Sequence, residues 1–234
     1  MPELDSVRGV AILGVLFLHG FYWQYSSLHF TGMARTFLLA TQPGWLGVNL
    51  FFVLSGFLIT GILLDSKPKP YYYRRFYTRR ALRILPAYYL LLVLLGLLHS
   101  ASAGFLGLSF VYLSNVTGLF GVPADYGPLW SLAVEEHYYI FWPAVVRNLT
   151  PKRLAMCSIA LCVLVPVLRA VSFHYGYTTG LASYTWFVAD GLAAGSLLAI
   201  ILRTSITRRQ VVSLCTALLV GGAMLAVIGD RLES

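Results

Sequence analysis

Arg8 and His19 lie eleven residues apart in the first apolar stretch of the chain, LDSVRGVAILGVLFLHG. At about 100° per residue, eleven steps return to within ~20° of the same helix face, ~16 Å further along the axis. A guanidinium and an imidazole on one face of an apolar helix are costly to keep there. Imidazole titrates near neutral pH and can take a proton from a hydroxyl. The spacing predicts Arg8 at a membrane interface and His19 well inside, where an ionisable side chain marks a functional site.

Three later stretches add candidates. In GWLGVNLFFVLSGFLIT (44–60), Gly47, Ser55 and Gly56 let another helix approach closely. In FYTRRALRILPAYY (76–89), Arg80 and Arg83 are three apart and share a helix face. Two guanidiniums at an interface can grip a phosphate in bidentate fashion. The same charges also satisfy the positive-inside rule and suit anionic headgroups, and charge alone does not separate these readings. Pro86 is expected in the first turns of a span. In GPLWSLAVEEHYYIFWP (127–143), Glu135 and Glu136 are adjacent, so they point ~100° apart and cannot share one environment. Each needs a partner, a proton or water. The candidate partners are Arg8, Arg80, His19 and His137, and a structural ion pair between helices would serve equally. Asp190 is a further acid in an apolar run, and Gly191 and Gly195 beside it predict close helix packing.

The elements that must position these groups follow from composition. Hydrophobic residues make up 58% of the 234 and charged residues 11%, whereas a soluble domain carries roughly a quarter charged. The fold class is therefore all-α, a polytopic transmembrane helix bundle in one domain, 1–234. Apolar windows at about 7–23, 45–64, 82–98, 128–146, 154–172, 185–202 and 210–228 predict seven spans. A run at 105–122, rich in Gly and polar residues, reads as a re-entrant or interfacial segment. Lys67, Lys69, Arg74, Arg75, Arg79, Arg80 and Arg83 place the loop after the second span in the cytoplasm. Placing the clusters near 147–153 and 203–209 on that side too requires that 105–122 not cross, and puts the N-terminus in the cytoplasm.

The formal net charge of +8 lacks the aromatic-basic patterning of a nucleic-acid binder, and no nucleic-acid partner is expected. Cys157, Cys162 and Cys215 fall in apolar runs without metal-ligand spacing, and His29, His99 and His174 read as interfacial, so no metal site is expected. No cleaved signal peptide is recognisable, and the first apolar run reads as a retained span.

Taken in order, LDSVRG leading to His19 by the R-x10-H spacing, GVNLFFVLSGFLIT, RRALRILPAYY and LWSLAVEEHYYIFWP resemble the acyltransferase 3 family of membrane O-acyltransferases, with ADGLAAGSLLA as a weaker fifth piece. The resemblance implies transfer of an acyl group, commonly acetyl, from acyl-CoA in the cytoplasm to a hydroxyl. The acceptor would be a glycan of the envelope, an exported glycan or a small hydroxylated molecule. It implies His19 and Arg8 as the active-site pair, with Glu135 and Glu136 as the acidic pair. Arg80 and Arg83, with Arg79 beside them, would meet the donor. Acyl-CoA is then a co-substrate, and no permanently bound cofactor is expected. Three departures stand out: Asn49 where the family usually has an acid, His137 where it usually has Gln, and about seven spans where it usually has about ten. The last predicts a chain truncated at its C-terminus. A proton-coupled transporter, which also needs intramembrane His, Glu and Asp, and an inactive acyltransferase fragment are the rival readings.

Overall fold

The structure, a computed structural model, describes residues 2–203. In chain order its helices are α1 Pro2–Phe17, α2 Trp23–Tyr25, α3 Gly32–Thr41, α4 Leu46–Ser66, α5 Tyr72–Leu97, α6 Ala103–Phe110, α7 Leu129–Asn148, α8 Pro151–His174, α9 Thr185–Val188 and α10 Asp190–Ile201. A π-helical turn, Leu18–Tyr22, joins α1 to α2, and a 3-10 turn, Gln42–Trp45, joins α3 to α4. The described residues contain no strand.

Among the described residues, four helical stretches are long and apolar enough to cross a membrane: Ser6–Tyr25, Gly32–Ser66, Tyr72–Leu97 and Pro151–His174. The expected windows at 128–146 and 185–202 are helical as well. However, Glu135, Glu136 and His137 dilute the apolar character of α7, and α10 has only 12 residues. The 210–228 window lies outside the described residues. The 105–122 run holds only the eight-residue α6 and a short 3-10 turn, and at 1.5 Å per residue α6 rises about 12 Å, too little to cross. Hydrogen bonds from the Ser102 hydroxyl and backbone N–H hold the Asp125 carboxyl, in the loop beyond, below the ordinary carboxylate range.

The third span begins earlier than its apolar window. It starts at Tyr72, so Pro86 is interior to α5 and does not mark the start of the helix. The added turns, YYRRFYTRR, are too polar for a hydropathy window. They are helical because their aromatic rings pack inward: Tyr72 and Phe76 are buried, and the Tyr72 and Tyr77 hydroxyls donate to the carbonyls of Pro143 and Ile140 on α7.

Glycines set the helix pairs. Gly44 and Gly47 lie against Gly14 and Ala11, so α1 and α4 are antiparallel. Gly56 abuts the Leu192 carbonyl and Gly195 the Val53 carbonyl, so α4 and α10 pack backbone to backbone, and with Gly191 against Phe52 at one end and Arg203 against Gly61 and Asp65 at the other they are parallel. A Cβ at either glycine would overlap those oxygens. Polar pins reinforce the contact: Thr60 Oγ1 donates to Ser196 Oγ (2.7 Å), and Trp142 Nε1 donates to Thr60 Oγ1 (2.7 Å), adding α7 to the pair. Such bonds are worth about 0.6 kcal/mol each on average inside a membrane.

One end of the bundle gathers the basic clusters. Lys67 Nζ donates to the Val146 and Leu149 carbonyls, Arg147 donates to the Lys67 carbonyl, and Arg203 pairs with Asp65 (3.0 Å). The expected grouping of the three clusters on one face thus holds as far as Arg203.

Candidate active site

The predicted residues separate into two places along the bundle. The first is ionic. Arg80 of α5 donates through Nε (3.0 Å) and an Nη (2.7 Å) to the same Glu136 oxygen, and lies 3.9 Å from Glu135. Its guanidinium carbon sits 3.4 Å above the Tyr139 ring centre. Ser55 Oγ donates to Glu135 at 2.6 Å, and the charge of Arg8 acts on the same carboxylate. Arg80 and Glu136 are 15% and 14% exposed, so each is nearly dry and dependent on the other. Of the four partners open to the glutamates, Arg80 bonds to Glu136 and Arg8 acts on Glu135 through its charge. The match of Gly47 to Ala11 sets Arg8 level with about Leu50, in the second turn of α4 and far from the basic end of that helix, and so deeper than the interface its sequence position suggests.

Arg80 also borders a cavity of about 330 Å³ at the basic end, shared with Lys69, Arg75, Arg79 and Arg83. The arginines expected to meet the donor are brought together there on successive turns of α5.

The second place is built around His19. It falls on the π-helical turn, where the regular ladder of α1 is interrupted, an arrangement frequent at functional sites. Its Nδ1 lies 2.9 Å from the Val15 carbonyl oxygen. A carbonyl only accepts, so Nδ1 carries the proton, and in the neutral ring Nε2 carries the lone pair. Nε2 is buried without a hydrogen-bond partner among the described residues. The ring packs edge-on to Trp23, with centres 4.4 Å apart. His19 lines a cavity of about 310 Å³ together with Asn49, Trp130, Arg169 and Ser183. Trp130 stands at the start of α7 and Arg169 near the end of α8, so this cavity lies toward the end of the bundle opposite the basic cluster.

Arg8 and His19 share a helix face but not a height: eleven residues set them ~16 Å apart along the axis, and Arg8 does not line the His19 cavity. Neither glutamate reaches the imidazole. The departure at Asn49 falls inside this cavity, so an uncharged amide faces the space beside His19. His137 is turned elsewhere, its Nδ1 2.7 Å from Thr185 Oγ1.

The family model of the acyltransferase 3 family, described as an acyltransferase domain, matches residues 1–231. This chain belongs to that family. The acyltransferase domain is 32% identical over 164 residues to a protein named peptidoglycan O-acetyltransferase in Listeria monocytogenes, covering 62% of this chain and 24% of the relative. A Bacillus subtilis protein named "Putative peptidoglycan O-acetyltransferase" is 35% identical over 164 residues, covering 61% and 23%. The domain thus spans about a quarter of the length of these relatives. No solved structure matches it.

Sequence reasoning missed Arg169 of the acyltransferase domain. It donates to Asp190 (3.0 Å) and to the Phe187 carbonyl (2.9 Å). The signal was present: a lone arginine within the apolar run 154–172, with an unmatched acid at Asp190.

Proposed function

We propose that the chain carries the transfer site of an integral O-acyltransferase of the cell membrane. It moves an acyl group, in the first instance acetyl, from acyl-CoA to a hydroxyl of an envelope glycan or other exported acceptor. The N-terminus and the basic end face the cytoplasm, where the positive field of Arg79, Arg80 and Arg83 suits the phosphates of CoA. The observation that carries the reading is His19 Nε2, a buried lone pair with no partner among the described residues, on the wall of a cavity large enough for a small reacting group.

The chemistry is general-base acyl transfer. Nε2 takes the acceptor hydroxyl proton as the oxygen attacks the thioester carbonyl. The C–S bond then breaks, and the same nitrogen returns the proton to the leaving thiolate. The Val15 carbonyl fixes the tautomer in the way a carboxylate does in a triad, though without a full charge. CoA carries its phosphates and its thioester on opposite ends of a long arm, so a phosphate site and a transfer site at different heights are compatible with one donor.

The test is transfer of label from radiolabelled acetyl-CoA in membranes containing the chain, with His19→Ala and empty membranes beside it. The alanine variant is expected to insert normally and to lose transfer by about 10²-fold or more, the usual worth of a positioned base. Transfer at the unaltered rate by His19→Ala defeats the reading.

A further inference from the structure

The His19 cavity contains a base but, in the reading above, no group assigned to the charge that develops on the opposite side of the reaction. When the acceptor oxygen attacks, the electron pair of the acyl C=O moves onto its oxygen, and that oxyanion needs donors held ready in a site closed to water. Among the described residues the cavity wall offers one cationic donor, Arg169. Arg80 and Arg8 do not line this cavity.

Arg169 is held as a catalytic donor should be. One terminal nitrogen donates to the Phe187 carbonyl at 2.9 Å, the other to Asp190 Oδ2 at 3.0 Å, so two of its five N–H groups fix its plane. Three N–H groups remain for a ligand. The side chain is 38% exposed and Asp190 24%, the more open member being the one on the cavity wall. A pair that only pinned α8 to α10 would gain nothing from keeping its guanidinium open to the space that His19 also faces.

We propose that Arg169 is the electrophilic catalytic residue of this site, binding the acyl carbonyl oxygen as it becomes negative, and that Asp190 is its positioning residue. The proposal rests on the acyl-transfer reading. His19 Nε2 removes the hydroxyl proton, and the new C–O bond forms. The carbonyl electron pair rests on the oxygen facing Arg169, then returns as the C–S bond breaks and the thiolate takes the proton back from His19. No further reactant is required.

The test compares Arg169→Met, Arg169→Lys and the double variant Arg169→Met/Asp190→Leu with the unaltered chain and His19→Ala, in the same labelled acetyl-CoA assay. Folded protein is measured in parallel by size-exclusion in detergent. Arg169→Met is expected to lower kcat by about 10²–10³-fold, the loss seen when one oxyanion donor is removed, with KM for acetyl-CoA unchanged. Arg169→Lys, which keeps the charge but loses the fork, should recover part of the rate. If Arg169→Met does not fold, the double variant removes the stranded acid and restores the bundle with an apolar pair. Folded but inactive, it upholds the proposal. Folded and active, it overturns it, as does Arg169→Met within threefold of the unaltered rate, or a loss confined to KM. A chain that folds in none of these forms assigns the pair to architecture and likewise overturns the proposal. Loss in His19→Ala without loss in Arg169→Met defeats the role of Arg169 alone. Transfer at the unaltered rate in His19→Ala, or none in the unaltered chain, defeats the underlying reading and this proposal with it.

Discussion

At the scale of single residues, left-handed backbone separates structural positions from chemical ones. His99, Tyr112 and Gly176 all have positive φ, at 50°, 60° and 80°. Each follows a helix end with the same two bonds: Ser100 to Leu95 and His99 to Gly96, Leu113 to Leu108 and Tyr112 to Ser109, Tyr177 to Ser172 and Gly176 to Phe173. This is the Schellman cap, which favours glycine. His99 and Tyr112 therefore sit where a side chain is strained, for reasons of chain reversal and not of chemistry. His99→Gly is expected to stabilise the protein by about 1 kcal/mol, read as a higher melting temperature in detergent micelles with transfer activity unchanged. Its place beyond a span end was legible in the sequence, but its conformation was not, because histidine carries no turn signal. The separation of Arg8 from His19 along the axis was legible in the spacing, but the neighbours that each meets were not. Periodicity reports which face a residue occupies and says nothing about which neighbour stands at its height.

At the scale of elements, small residues decide the packing, and here the sequence was informative. Gly47, Gly56, Gly191 and Gly195 were readable as close-approach positions, and all four lie against another helix. Which helix each met was not readable, since a glycine marks an approach without naming the partner. Gly56→Val is expected to break the α4–α10 contact, because its side chain must displace the Leu192 backbone and not a movable side chain. Overpacking costs about 1–3 kcal/mol where neighbours yield, and backbone yields less. The expected outcome is loss of the monodisperse peak in size-exclusion. Gly107→Ala, whose new methyl would meet nothing within 4 Å, should elute unchanged. The true start of α5 was missed at this scale. Its first turns are secured by the buried rings of Tyr72 and Phe76 and by bonds to α7, which are tertiary facts.

At the scale of the whole molecule, α1, α5 and α8 run one way and α4, α7 and α10 the other, with the three basic clusters, as far as Arg203, at a common end. The clustering of Lys and Arg was enough to anticipate this, given that 105–122 does not cross. The arrangement predicts that single cysteines replacing Lys69 and Lys152 react with an impermeant maleimide from one side of the membrane, and those replacing Leu119 and Tyr177 from the other. Cys157, Cys162 and Cys215 would first be changed to Ser. Reaction of positions 69 and 119 from the same side would refute the arrangement.

The basic cavity and the His19 cavity lie toward opposite ends of the bundle, and that has an electrical consequence. In the proposed reaction the phosphates of the donor stay at the basic end while an uncharged acetyl group is passed on at His19. The proton taken from the acceptor returns to the thiol at the same height. No net charge then travels through the membrane field, where each elementary charge would add about 2.3 kcal/mol per 100 mV. In sealed vesicles the transfer rate should be the same with a potassium diffusion potential imposed as with it collapsed by ionophore. A proton-coupled transporter built from the same His, Glu and Asp residues would respond to that voltage.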